Sequence, residues 1–301
     1  MDDDFLKGLN EELKKQQDII NQTSIEDFDN LSPEDMFNIV YKPFQEECPI
    51  QYKAEIGIDI LNDIPFLNLV EYYLNSINTL KEIKLTTRGN LPTKLVKEYY
   101  ELGFIKEEMI ERGLKKLYKE DDSKSIINVK LISELAGFAK KRNNKLSLTQ
   151  NGVKHLGNEY RKEVLQLVFE AYGYKFNLGY HDGYQDQGEV QRTLGYLIYL
   201  LLKYGDEERE LDFYSTKILT AYPHLISVFT ESYTTSERQF NRCFSYRIFE
   251  SFLNWFNLIE VRKEREFGNF DYRLYVKNKH IHKIFEIRND KFKFRKGKFY
   301  A

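Results

Sequence analysis

Cysteine is scarce in this 301-residue chain: Cys48 and Cys243 stand far apart, with no CxxC or CxxH company. A structural disulfide needs an oxidising compartment, which nothing in the chain implies, and zinc needs about four ligands supplied close together. The two thiols therefore read as buried or half-buried small side chains. Long apolar runs are also missing. None approaches the roughly 18 residues of a membrane span. The opening MDDDFLKGLN is acidic and lacks the positive-then-apolar order of a secretory signal. These absences predict a cytoplasmic protein with no membrane partner.

Catalytic signatures are absent too. There is no GxSxG, no Walker loop, no dinucleotide glycine pattern and no Cys–His pair at local spacing. The expectation is a noncatalytic protein without cofactor or metal. One polar cluster, His181-Asp182 with Asp186 and Glu189, has ligand types that suit a divalent ion. Its spacing matches neither an EF-hand loop nor HExxH, and a solvated linker accounts for it.

What is present is ordinary in bulk, with 42% apolar and 31% charged residues, and uneven in distribution. Residues 1–62 hold 5 Lys/Arg against 15 Asp/Glu, a balance of −10; residues 261–301 hold 13 against 5, a balance of +8. Such asymmetry fits an acidic arm with a polyanion-binding end. It fits equally well two ends that attract each other within one fold.

Periodicity divides the chain into five segments. Residues 1–62 form an acidic helical segment, with Phe5, Leu6, Leu9 and Leu13 on one face and Ser32, Pro33 and Asp35 placed to start a second helix. Residues 63–157 follow the order helix, strand, helix, extra helix, helix, hairpin. Asp63 precedes the first helix, Ile83–Thr86 is the strand, and Pro92 starts the second helix. Residues 104–118 form an inserted helix, 129–139 the third core helix, and Asn143-Asn144 the hairpin turn. Residues 158–189 are a connecting helix and loop. Residues 190–287 repeat the pattern, with helices over 194–205, 211–221 and from Ser236, then a hairpin with Gly268 and Asn269 near its tip. Residues 288–301 are a basic aromatic tail. The fold class is mainly α with small β-hairpins (α+β): two winged-helix-like units joined by helices.

A helix feeding an antiparallel hairpin is the closing half of a winged helix, a module that holds duplex DNA. On the helix from Ser236, Arg238, Asn241, Arg242 and Ser245 fall at i, i+3, i+4 and i+7, one face. Arginine pairs with guanine and asparagine with adenine in the major groove, while Arg262, Lys263 and Arg265 in the following hairpin suit phosphates. In the first module Lys140, Lys141, Arg142 and Lys145 surround a tight turn and suit a phosphate clamp. Its third helix offers Asn128, Lys130 and Glu134, of which Glu134 would repel phosphate. Each set also suits an ordinary solvated face. The tail, Lys291–Tyr300, interleaves Phe292, Phe294 and Phe299 with five Lys/Arg, a pattern for single-stranded nucleic acid or for a strand with a buried aromatic face.

The segments NLSPEDMFNIVYKPF, EIKLTTRGNLPTKLVKEYY and KRNNKLSLTQNG resemble a set of uncharacterised bacterial proteins over roughly residues 30–220. Some members carry an added cysteine-rich zinc segment, which this chain lacks. The resemblance implies a bacterial cytoplasmic protein and transfers no functional residue. The expectation is thus a DNA-binding or DNA-associated protein whose partner is duplex DNA. The alternative is a protein-interaction scaffold, in which 22 Tyr and 22 Phe supply a partner surface or a homodimer interface.

Overall fold

The computed structural model describes residues 3–180, 182–184, 188–230, 234–265 and 272–288. The chain is mainly helical with small antiparallel sheets, an α+β architecture. It divides into two compact units. Unit one comprises Met1–Ala54, Tyr184–Ser245 and Glu260–Ala301; unit two comprises Glu55–Gly183 and Tyr246–Ile259. Among the described residues, no helix is long and apolar enough to cross a membrane.

Unit two starts from apolar periodicity. In the helix Pro65–Leu80, Phe66, Leu69, Val70, Tyr73, Leu74 and Ile77 are buried, the spacing of one helical face. Asp63 does not cap it. Asp63 instead closes a short helix, Ile58–Asn62, and Pro65 opens the long one, where its missing N–H costs nothing. The strand Ile83–Lys84 follows, then the helix Thr93–Glu101. The inserted helix expected over 104–118 is a single turn, Glu108–Glu111. Gly103 and Gly113 adopt φ of 73° and 69°, a left-handed conformation that interrupts helix on both sides. The third long helix runs Lys124–Leu135, five residues earlier than its apolar pattern suggests, because the Ser123 side chain caps it.

The hairpin Ala139–Arg142 and Lys145–Leu148 turns at Asn143-Asn144, with φ of 50° and 57°. Both residues thus supply the positive φ of a tight two-residue turn. The strand Ile83–Lys84 pairs antiparallel with the return strand, so the sheet order places the return strand in the centre. The helices of this unit share an aromatic core in which Phe66, Phe169, Tyr172, Phe252, Trp255 and Phe256 meet at ring separations of 4.9–6.1 Å. Each such ring stabilises the unit by about 1.5–3 kcal/mol through burial alone.

Unit one repeats the order. The helix Leu194–Tyr204 is buried along most of its length. The strand Arg209–Glu210, the helix Leu211–Ala221 and the helix Ser236–Phe244 follow. The strands Ile259–Arg265 and Tyr272–Asn278 then form the hairpin, whose return strand again takes the central place beside Arg209–Glu210. Around this lie the N-terminal helix Asp3–Gln22 and the helix Pro33–Tyr41, which opens with a reciprocal Ser32–Asp35 capping box. A pairing that no periodicity foretells joins Ile50–Tyr52 to Phe285–Ile287. Cys48 and Cys243 are both buried, and no disulfide joins them.

Candidate nucleic-acid interface

In unit one the helix Ser236–Phe244 has one buried and one open side. The Thr235 hydroxyl accepts from the Arg238 backbone N–H at 3.3 Å, satisfying a donor that the first turn leaves free. Phe240, Cys243 and Phe244 are buried, whereas Arg238 and Arg242 are exposed. The remaining two residues of the expected reading face lie deeper. Ser245 is buried, and Asn241 is half-buried. Asn241 Nδ2 donates to Asp212 Oδ1 at 3.0 Å, and its Oδ1 is enclosed without a hydrogen-bond partner among the described residues. Pairing with adenine uses both amide atoms, so Asn241 must leave Asp212 before it can read a base.

In the hairpin of the same unit Arg262 is engaged by carboxylates. Arg262 donates to both carboxylate oxygens of Glu208, at 3.1 and 2.7 Å, and to Glu264 at 3.0 Å, while its guanidinium stacks 4.0 Å from the Tyr275 ring. These hydrogen bonds hold the Glu208 carboxyl below the usual carboxylate range. Lys263 lies over the Tyr272 ring at 4.5 Å, and Arg265 is exposed. A cleft of about 600 Å³ in this unit is lined by Glu26, Asp27, Asp29, Asp212 and Lys217. Its carboxylate excess disfavours a phosphate ligand.

Unit two offers its hairpin and withholds its third helix. Lys140, Lys141, Arg142 and Lys145 are all exposed. Among the described residues, only Lys145 of these four makes an ion pair, with Glu82 at 2.5 Å. On the helix Lys124–Leu135, the polar residues turn inward. Asn128 Nδ2 donates to the Tyr172 hydroxyl at 2.6 Å. Lys130 pairs with buried Glu120 and donates to the Gly89 carbonyl at 3.2 Å; Glu120 in turn accepts from the Leu91 N–H at 2.5 Å. These contacts tie the loop after the first strand to the helix. Glu134 is half-buried, and that burial raises its carboxyl pKa. No reading face remains on this helix.

A second charged cluster in unit two escaped sequence reasoning. Arg247, fully buried, forms a two-point pair with Asp182, whose side chain is equally enclosed. Lys124 donates to Ser251 Oγ at 3.1 Å and sits 4.1 Å from the Tyr246 ring centroid. Glu107 accepts from the Ser123 and Ser125 hydroxyls and from the Lys124 and Ser125 backbone N–H groups. Local spacing gives no signal for any of this, since Asp182 and Arg247 are 65 residues apart.

The polar cluster around His181 does not gather into a ligand set among the described residues. Asp182 is held by Arg247, Glu189 pairs with Arg192 at 3.1 Å, and no group of three metal-ligating side chains occurs there. His181, Asp186, the hairpin tip at Gly268 and Asn269, and the tail Lys291–Tyr300 lie outside the described residues. Comparison of the chain with protein-family models, curated proteins and solved structures gives no match.

Proposed function

We propose that this chain is a noncatalytic DNA-binding protein built on two winged-helix units, one of which reads bases. The observation that carries the reading is the exposed Arg238–Arg242 pair on a capped helix whose opposite side is buried. Two features support it. In both units the strand between the first and second helices pairs with the return strand of the closing hairpin, the arrangement that defines the winged module. The hairpin of unit two also presents Lys140 and Arg142, both exposed and without an ion pair among the described residues. In this reading the helix Ser236–Phe244 enters the major groove, where Arg238 and Arg242 pair with guanine. Unit two contributes backbone contacts alone, because Asn128 and Lys130 are buried. Arg262 contributes little, because two carboxylates already occupy its guanidinium.

Fluorescence anisotropy with random duplex DNA at about 50 and 200 mM salt tests the proposal, since phosphate contacts release counterions and make affinity fall with salt. Wild type is expected to bind at the lower salt and weaken steeply at the higher one. The Arg238→Glu/Arg242→Glu variant is expected to lose that binding while keeping its helical spectrum. A folded wild type that binds no duplex at the lower salt overturns the proposal. That outcome favours the scaffold reading, for which the exposed stripe of Leu6, Leu9, Leu13 and Ile20 on the N-terminal helix is the supporting observation.

A further inference from the structure

We infer that the solvent face of the three-stranded sheet in unit two is a phosphate-backbone contact strip, centred on the cross-strand row Lys84–Lys145–Arg142 and extended by Lys140. The inference rests on the duplex-DNA reading above and names the surface that would anchor it. The register carries it. Lys84 lies opposite Lys145, and Lys145 lies opposite Arg142, so three cations stand side by side across three strands. Residues directly opposite in an antiparallel pair share a face, and Lys140, two residues from Arg142, shares it too. The other face is accounted for separately: Ile83, Leu146 and Ala139 point into the core.

Such a row costs stability, because like charges directly opposite one another repel. The fold does little to relieve it. Glu82 pairs with Lys145, but the side chains of Lys84, Lys140 and Arg142 make no hydrogen bond or ion pair among the described residues, and all three are exposed. Adjacent strands lie about 4.8 Å apart, so the row spans on the order of 10 Å. It is an open surface of separate cations without an enclosing pocket. That shape suits a regular polyanion better than a single bound anion. The apolar side chains of this sheet face inward, so the strip has nothing to insert into a lipid surface.

The test measures the salt dependence of duplex binding by the full chain. Each phosphate contact adds about 0.9 to the slope of log affinity against log salt. Neutralising three contacts in Lys84→Gln/Lys140→Gln/Arg142→Gln should therefore lower the slope by about 2.7. An equal charge change at exposed Lys7, Lys14 and Lys15 on the N-terminal helix, each replaced by Gln, should leave it unchanged. A strip variant that keeps the wild-type slope overturns this inference and leaves the DNA reading to Arg238 and Arg242. Equal losses in both triple variants overturn it as well, by making the effect one of net charge. Absence of wild-type binding overturns both readings. Vesicles of anionic lipid serve as a third arm: strip-dependent binding to them, with duplex binding insensitive to the strip, reassigns the surface to membrane.

Discussion

Lys124 shows what desolvation does to a single charge. Burial pushes its ammonium down from the ordinary lysine value to about 8, while Asp182 and Glu107 pull the other way and Arg247 adds to the depression. A cation–π contact and one hydroxyl acceptor replace only part of its lost hydration. Between pH 8 and 10.5 the unfolded chain holds this proton and the folded chain does not, so the group's contribution to stability rises with pH across that window. Its penalty is complete below pH 8. The Lys124→Met variant keeps the aliphatic stem and removes the titration. Urea unfolding at several pH values should show wild type gaining on the variant by up to about 1 kcal/mol per pH unit between pH 8 and 10. A gap that stays constant with pH would remove burial as the cause.

Among elements, the hairpin of unit two depends on close backbone approach as much as on its turn. Gly152, in the helix Gln150–Lys154, leaves no room for a side chain: a Cβ there would sit 2.0 Å from the Phe138 carbonyl oxygen. That contact is backbone on backbone, so no rotamer can relieve it, and overpacking of this kind costs about 1–3 kcal/mol. Gly152→Ala should lower the urea midpoint accordingly, and an unchanged midpoint would show that the helix shifts freely. The turn itself was legible, because Asn143-Asn144 is one of the few non-glycine pairs that tolerates positive φ. The failed helix over 104–118 was not. Its apolar residues suggested a helix, but Gly103 and Gly113 outweigh that pattern by taking φ values a helix cannot use.

On the scale of the whole molecule, buried tyrosine couples folding to alkaline pH. Burial pushes Tyr99 and Tyr214 up to about 12, and Tyr73, Tyr172, Tyr196, Tyr199 and Tyr222 upward as well. The unfolded chain ionises its tyrosines near pH 10, so below that pH their stabilising contribution is complete. As pH rises from 10 through 12 the folded chain retains protons that the unfolded chain releases, and the contribution is lost. Tyrosinate absorbance of this buried class should therefore appear together with the loss of helical circular dichroism. Ionisation of these residues in a still-helical protein would contradict their burial.

The sequence by itself determined the local features. Apolar spacing placed the helices 65–80, 194–204 and 211–221, Ser32 and Asp35 specified a capping box, and the repeated helix–hairpin order was present in the bare chain. These depend on neighbours within a turn or two of helix, which linear spacing encodes. Tertiary structure alone decided the rest. It set Lys84 beside Lys145 and Arg142, paired Ile50–Tyr52 with Phe285–Ile287, and assigned Tyr246–Ile259 to unit two. It also determined which polar groups are available. Lys130 and Arg242 look alike in sequence, yet one is buried against Glu120 and the other is exposed. A buried charge persists only where a distant chain segment supplies its counter-charge and hydrogen bonds, and no local pattern records where that partner lies.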